Sequence, residues 1–199
     1  NAEVLGWFEK IPSVTMRVTD YHDILANSEV DVCYVAVPHA FHEQIYTDVL
    51  AAGKDLLAEK PFGIDLAAAE RIISAIKGSD SFVRCSSEFP FFPGSHAVYQ
   101  GCRDVSGLGR VLEVNAGFHH ASDLDPRKPA NWKRLSSMCG EIGVLGDLGM
   151  HVVHLPLRLG WRPETVYAQL QKGYPHRPGA NGEADVLCDT WDNATLHTW

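Results

Sequence analysis

Two hydrophobic patterns alternate through the first part of the chain. Residues 30–37 (Val-Asp-Val-Cys-Tyr-Val-Ala-Val) form a β-rich apolar run without clean alternation, the pattern of a strand covered on both faces of a parallel sheet. A shorter run over 55–58 stops abruptly at Glu59-Lys60-Pro61, and a third strand is predicted over 81–86. Between these runs the spacing turns helical. Phe41, Ile45, Val49 and Ala52 lie on one face, with Gly53 as the stop; Leu66, Ala69, Ile72, Ile73 and Ile76 lie on another, with Asp65 as N-cap and Gly78 as the stop. Upstream, residues 1–8 read as the tail of a helix, 14–18 as an extended piece and 20–25 as a short helix. Strand, helix, strand, helix, strand with short joins predicts a parallel α/β sheet with right-handed crossovers.

After Pro90 and Pro93 the pattern changes. A helix is predicted over 94–103 and an alternating, antiparallel-type strand over 110–117. Residues 119–138 are polar and irregular, too long for a passive connector, and read as a substrate loop. Gly140, Gly143, Gly146 and Gly149 recur every third residue into a helical stretch, where Asp147 and His151 stand four apart and so share a face. Pro156 is expected to interrupt or kink that helix. A strand over 165–170, a loop over 173–183 and a final strand over 190–199 complete the prediction. The expected division is a domain of residues 1–88 and a second of residues 89–199.

Bulk properties narrow the function. A net charge of −8 without any block of Lys and Arg argues against a nucleic-acid partner. Five scattered cysteines without a C-x-x-C pair suit a reducing, cytoplasm-like compartment, and no run approaches the roughly 18 apolar residues of a membrane span. The chain begins without Met and ends within a strand pattern, so a fragment of a longer protein is expected.

In parallel sheets ligands sit beyond the carboxyl ends of the strands, which are Pro38-His39, Glu59-Lys60-Pro61 and Ser87-Glu88. Lys60 is therefore the first candidate for chemistry. Val37-Pro38 with His42 four residues after the proline, Ala52-Gly53-Lys54 leading into Glu59-Lys60-Pro61, and Gly146-Asp147-Leu148-Gly149-Met150-His151 together resemble the Gfo/Idh/MocA oxidoreductases. The resemblance implies an α/β fold: a partial, doubly wound Rossmann sheet followed by an α+β domain with a large, mostly antiparallel open sheet. Because no G-x-G-x-x-G is present, the glycine-rich unit is expected to lie upstream of Asn1, and with it the residue that separates NAD from NADP.

The resemblance also implies an activity. NAD or NADP would serve as cofactor for hydride transfer at a sugar or polyol hydroxyl carbon. His151 would take the hydroxyl proton, Lys60 would stabilise the developing alkoxide, and Asp147 would orient His151 or bind a neighbouring hydroxyl. Expected cofactor contacts are Val37, Pro38, His39, His42, Glu59, Lys60, Pro61 and Trp132; expected substrate contacts are Lys60, His119, Asp147 and His151. The Lys60-Pro61 peptide is expected to be cis. No metal is expected, although Asp147, His151 and His154 have ligand chemistry. A homo-oligomer is the family expectation. An NAD-dependent glycoside hydrolase of the same fold and a non-catalytic sugar or cofactor sensor are the alternatives.

Overall fold

A computed structural model describes residues 2–180 and 185–199. Two short helices, α1 (Ala2–Gly6) and α2 (His22–Leu25), precede three parallel strands that pair in chain order: β1 (Val32–Val35), β2 (Asp55–Ala58) and β3 (Val83–Cys85). Asn1 of the predicted first helix lies outside the described residues. The register sets Cys33 beside Leu56 and Val35 beside Ala58. These four side chains are buried against Tyr46, Val49 and Leu50 of α3 (His42–Ala51) and Ile72 of α4 (Leu66–Lys77), which form the main core. Asp65 caps α4 as predicted, its Oδ1 accepting from the Ala68 amide at 2.7 Å.

Helices α3 and α4 cover one face of this sheet. On the other face Val32 and Tyr34 are each 57% exposed and Leu57 is also exposed, so among the described residues the two-sided cover that residues 30–37 predict is present on one side.

Helix α5 (Pro93–Arg103) follows, as predicted. The strand predicted over 110–117 does not form a ladder, and Leu112 within it is 82% exposed. Alternation prepares a segment for a sheet, but a strand exists only where its amides and carbonyls find partners, and no described segment pairs with this one. Helix α6 (Ser136–Cys139) leads into a π-helical turn over Leu145–Gly149 and then α7 (Met150–Arg158), which runs through Pro156. Strand β4 (Val166–Gln171) pairs antiparallel with β7 (Asn193–Thr198). The predicted loop over 173–183 instead carries β5 (His176–Arg177), paired with β6 (Val186–Leu187); residues 181–183 of that prediction lie outside the described residues. The antiparallel character of the second half is thus as expected, in two-stranded ladders. Arg177, almost fully buried, donates to the carbonyls of Asp123, Asp125 and Lys128 and so ties the irregular segment to β5. No helix among the described residues is long and apolar enough to cross a membrane.

Candidate active site

The carboxyl ends of β1 and β2 meet the second half of the chain at a cleft of about 280 Å³, lined by Ala36, Val37, Pro38, Glu59, Lys60, Trp132, Lys133 and Asp147. Its position is the one the topology dictates, since a parallel sheet leaves its crevice at the strand ends. The Lys60-Pro61 peptide is cis, as expected.

Lys60 extends from the end of β2 to Asp147 in the π-helical turn. Its Nζ donates to Asp147 Oδ1 and to the Asp147 carbonyl, both at 2.8 Å. The other carboxylate oxygen, Oδ2, accepts from Lys133 Nζ at 2.7 Å. Asp147 is buried, and burial alone would raise its carboxyl; the hydrogen bonds from Lys133 and Lys60 outweigh it and hold the group below the ordinary carboxylate range. Two ammonium groups thus share one buried carboxylate.

His39 stands behind this cluster. A carbonyl only accepts, so Nδ1, 3.1 Å from Cys139 O, carries the ring proton and Nε2 faces Asp147 Oδ1 at 3.9 Å. The ring packs T-shaped with Trp132, centroids 4.8 Å apart. Burial lowers its proton affinity, partly offset by the Cys139 carbonyl and Asp147. His39 is enclosed and absent from the cleft lining, so it supports Trp132 and Asp147 instead of meeting a ligand as expected. His42 departs further from expectation. It is fully buried, with ring nitrogens 2.7 Å from Pro61 O and 2.9 Å from Val37 O, and joins the two strand-end turns from behind. Four residues after Pro38, it falls on the helix face that packs against the sheet. Pro61 likewise contributes its carbonyl to His42 and does not line the cleft.

His151 lies one step along the same helix but does not bond to Asp147. Within the π-helical turn the hydrogen bonds run from i to i+5, so the rule that places residues four apart on one face does not carry through 145–149. Asp147 therefore orients Lys60, not His151. The His151 ring stacks on Phe89 with centroids 4.1 Å apart and lies 5.7 Å from Phe118. It is 9% exposed, and its Nδ1 is enclosed without a hydrogen-bond partner. Burial, then the charge of Lys60, lowers its proton affinity below the usual imidazole range. His119 does not join the group: it is exposed, and its ring lies over Gly117. Its neighbour Phe118 is the residue of this segment that meets His151. Among the described residues no three His, Cys, Asp or Glu side chains converge as a metal site requires.

Ala36, Lys133, Phe89 and Phe118 are site neighbours that sequence reasoning missed. The only signal for Lys133 was its adjacency to Trp132. Phe89 stood in an aromatic-proline cluster, Phe89-Pro90-Phe91-Phe92-Pro93, where nothing separates packing from site duty.

Comparison with known proteins identifies the family. Residues 8–86 match the Gfo/Idh/MocA model described as an oxidoreductase family with an NAD-binding Rossmann fold, and residues 104–199 match the Gfo/Idh/MocA C-terminal domain. The chain belongs to the Gfo/Idh/MocA family. Among curated members of that family, it is 25% identical over 169 residues to levoglucosan dehydrogenase of Pseudarthrobacter phenanthrenivorans, covering 85% of this chain and 43% of that protein. It is 29% identical to trans-1,2-dihydrobenzene-1,2-diol dehydrogenase of Danio rerio, covering 81% and 46%, and 24% identical to an NADP-dependent scyllo-inositol 2-dehydrogenase of Bacillus subtilis, covering 100% and 60%. A levoglucosan dehydrogenase structure in complex with NADH and levoglucosan superposes with a TM-score of 0.90 at 22% identity, covering 100% of this chain and 52% of that one, a likeness of fold. The chain spans about half the length of the curated relatives it matches.

Proposed function

We propose that this chain is the site-bearing portion of an NAD(P)-dependent oxidoreductase that moves a hydride between a sugar or polyol hydroxyl carbon and nicotinamide. Residues 1–88 would contribute the dinucleotide side and residues 89–199 the substrate side, in a protein that forms a homo-oligomer through the second domain. The observation that carries the reading is the Lys60–Asp147 pair, which spans that division at the strand ends with His151 in the adjoining helix.

The residues present fit the nicotinamide end of a dinucleotide. Val37 and Pro38 give an apolar wall, Trp132 an aromatic one, and Lys60 and Lys133 positive charge. The cleft, about 280 Å³, lies just below the range of whole-ligand pockets, about 300–1,000 Å³, which suits one end of such a molecule. When bound, the cofactor supplies acceptance and return of hydride. Lys60 would donate a hydrogen bond to the reacting oxygen, and its ammonium would stabilise the alkoxide that develops there. His151 would take the hydroxyl proton. Nδ1 is enclosed and His151 is absent from the residues lining the cleft, so the accepting atom would be Nε2; the lowered proton affinity keeps the imidazole neutral at neutral pH.

The test is turnover of a panel of sugars and polyols with NAD⁺ and NADP⁺ by the full-length protein, wild type against Lys60→Ala. Reduced cofactor from the wild type and a loss of at least about 100-fold in the variant are expected. Free sugar released without reduced cofactor would assign a glycoside hydrolase, and binding without any turnover would assign a sensor.

A further inference from the structure

Beyond its positive charge at the cleft, Lys133 has no part in the chemistry proposed above, yet it is held as firmly as the residues that do. Its amide donates to Asn131 Oδ1 at 2.9 Å, and its carbonyl accepts from the buried Thr190 hydroxyl at 3.0 Å. Both ends of the short turn Trp132–Arg134 are therefore pinned, and the side chain that leaves it ends 2.7 Å from Asp147 Oδ2. The terminal torsion of an aspartate is broad and soft, so one hydrogen bond leaves the carboxylate free to turn. Lys60 holds Oδ1 and Lys133 holds Oδ2, and two holds fix the plane.

We infer that Lys133 is a positioning residue, which acts through Asp147 to fix the place of the Lys60 ammonium. This inference rests on the proposed role of Lys60. Replacing Lys133 by a neutral residue leaves Asp147 Oδ2 without its ammonium partner, so the carboxylate is free to turn and the Lys60 ammonium moves with it.

The experiment reads the geometry directly. Crystal structures of the full-length protein are compared for wild type, Lys133→Met, Lys133→Gln and Lys133→Arg. The Asp147 carboxylate turns and the Lys60 ammonium leaves its wild-type place in the two neutral variants, and both keep their places in Lys133→Arg. Lys133 is 37% exposed, so water replaces part of the lost hydrogen bond and the variants fold. In turnover, kcat falls about tenfold in Lys133→Met, and Lys133→Arg restores it. An unmoved Asp147 carboxylate and Lys60 ammonium in both neutral variants overturns the inference. The structures require no turnover, so failure of the dehydrogenase reading would show in the activity arm alone.

Discussion

Asp147→Asn isolates the interaction on which the site's geometry depends. Asparagine preserves size and shape but offers one accepting oxygen where the carboxylate offered two, and its amide then faces an ammonium. One charge-assisted hydrogen bond of 2.7–2.8 Å is lost, the other is weakened, and Lys60 and Lys133 lose their shared counter-charge. Breaking a fully buried pair costs about 3–5 kcal/mol. Asp147 is buried, but the Lys60 and Lys133 side chains are 18% and 37% exposed and recover part of their solvation, so the expected loss is about 2–3 kcal/mol. The pH dependence supplies a second check. The folded carboxyl titrates below its unfolded value of about 4, so its stabilisation is complete above that value and declines as the pH falls through the depressed one. Urea unfolding of both full-length proteins, followed by tryptophan fluorescence, should show the whole gap at neutral pH and a shrinking gap below about pH 4. A gap under about 0.5 kcal/mol at neutral pH, or one indifferent to acid, would refute the reasoning.

Three other outcomes follow from named contacts. The acidic limb of kcat/KM should lie below the ordinary imidazole value of about 6.5, and Phe89→Leu, which removes the ring stacked on His151, should move it upward; an unmoved limb would detach His151 from that titration. Gly140→Ala should destabilise the protein by about 2–4 kcal/mol in urea unfolding, because φ is +91° and the added Cβ would lie 2.5 Å from the Ile64 carbonyl. His42→Phe should cost about 1–3 kcal/mol by removing the buried ring that lies between the Val37 and Pro61 carbonyls and donates to one of them, and should raise the KM for the cofactor because both carbonyls belong to turns at the strand ends; an unchanged KM would show those turns hold without it.

The parallel half of the fold was legible because its signals are local. Gly53, Asp65 and Gly78 mark helix ends whatever surrounds them, and the β1 to β3 runs sit between them. The strand over 110–117 was not legible, because alternation states which faces a strand would have and not whether a partner exists. Within the site, Lys60 and Asp147 were found by motif and topology, and the structure bonds them. The link assumed between Asp147 and His151 failed on helix geometry: a π-helical turn has no periodic signature strong enough to separate it from α-helix over five residues. Lys133 and Phe89 escaped because their partners, Asp147 and His151, are remote in sequence. His42 and His39 looked like ligand contacts since they flank a strand end, but position along the chain cannot tell the cleft side of a turn from its buried side.

The central claim is that Lys60 and His151 serve hydride transfer at a carbinol carbon. It is tested most directly with a panel of sugars and polyols deuterated at the carbinol carbons, incubated with the full-length protein and NAD⁺ or NADP⁺, and mass analysis of the reduced cofactor. The account predicts one deuterium in the reduced nicotinamide with wild type and loss of its formation by at least about 100-fold in Lys60→Met. Substrate consumed without label in the cofactor, or Lys60→Met labelling it at the wild-type rate, would contradict it.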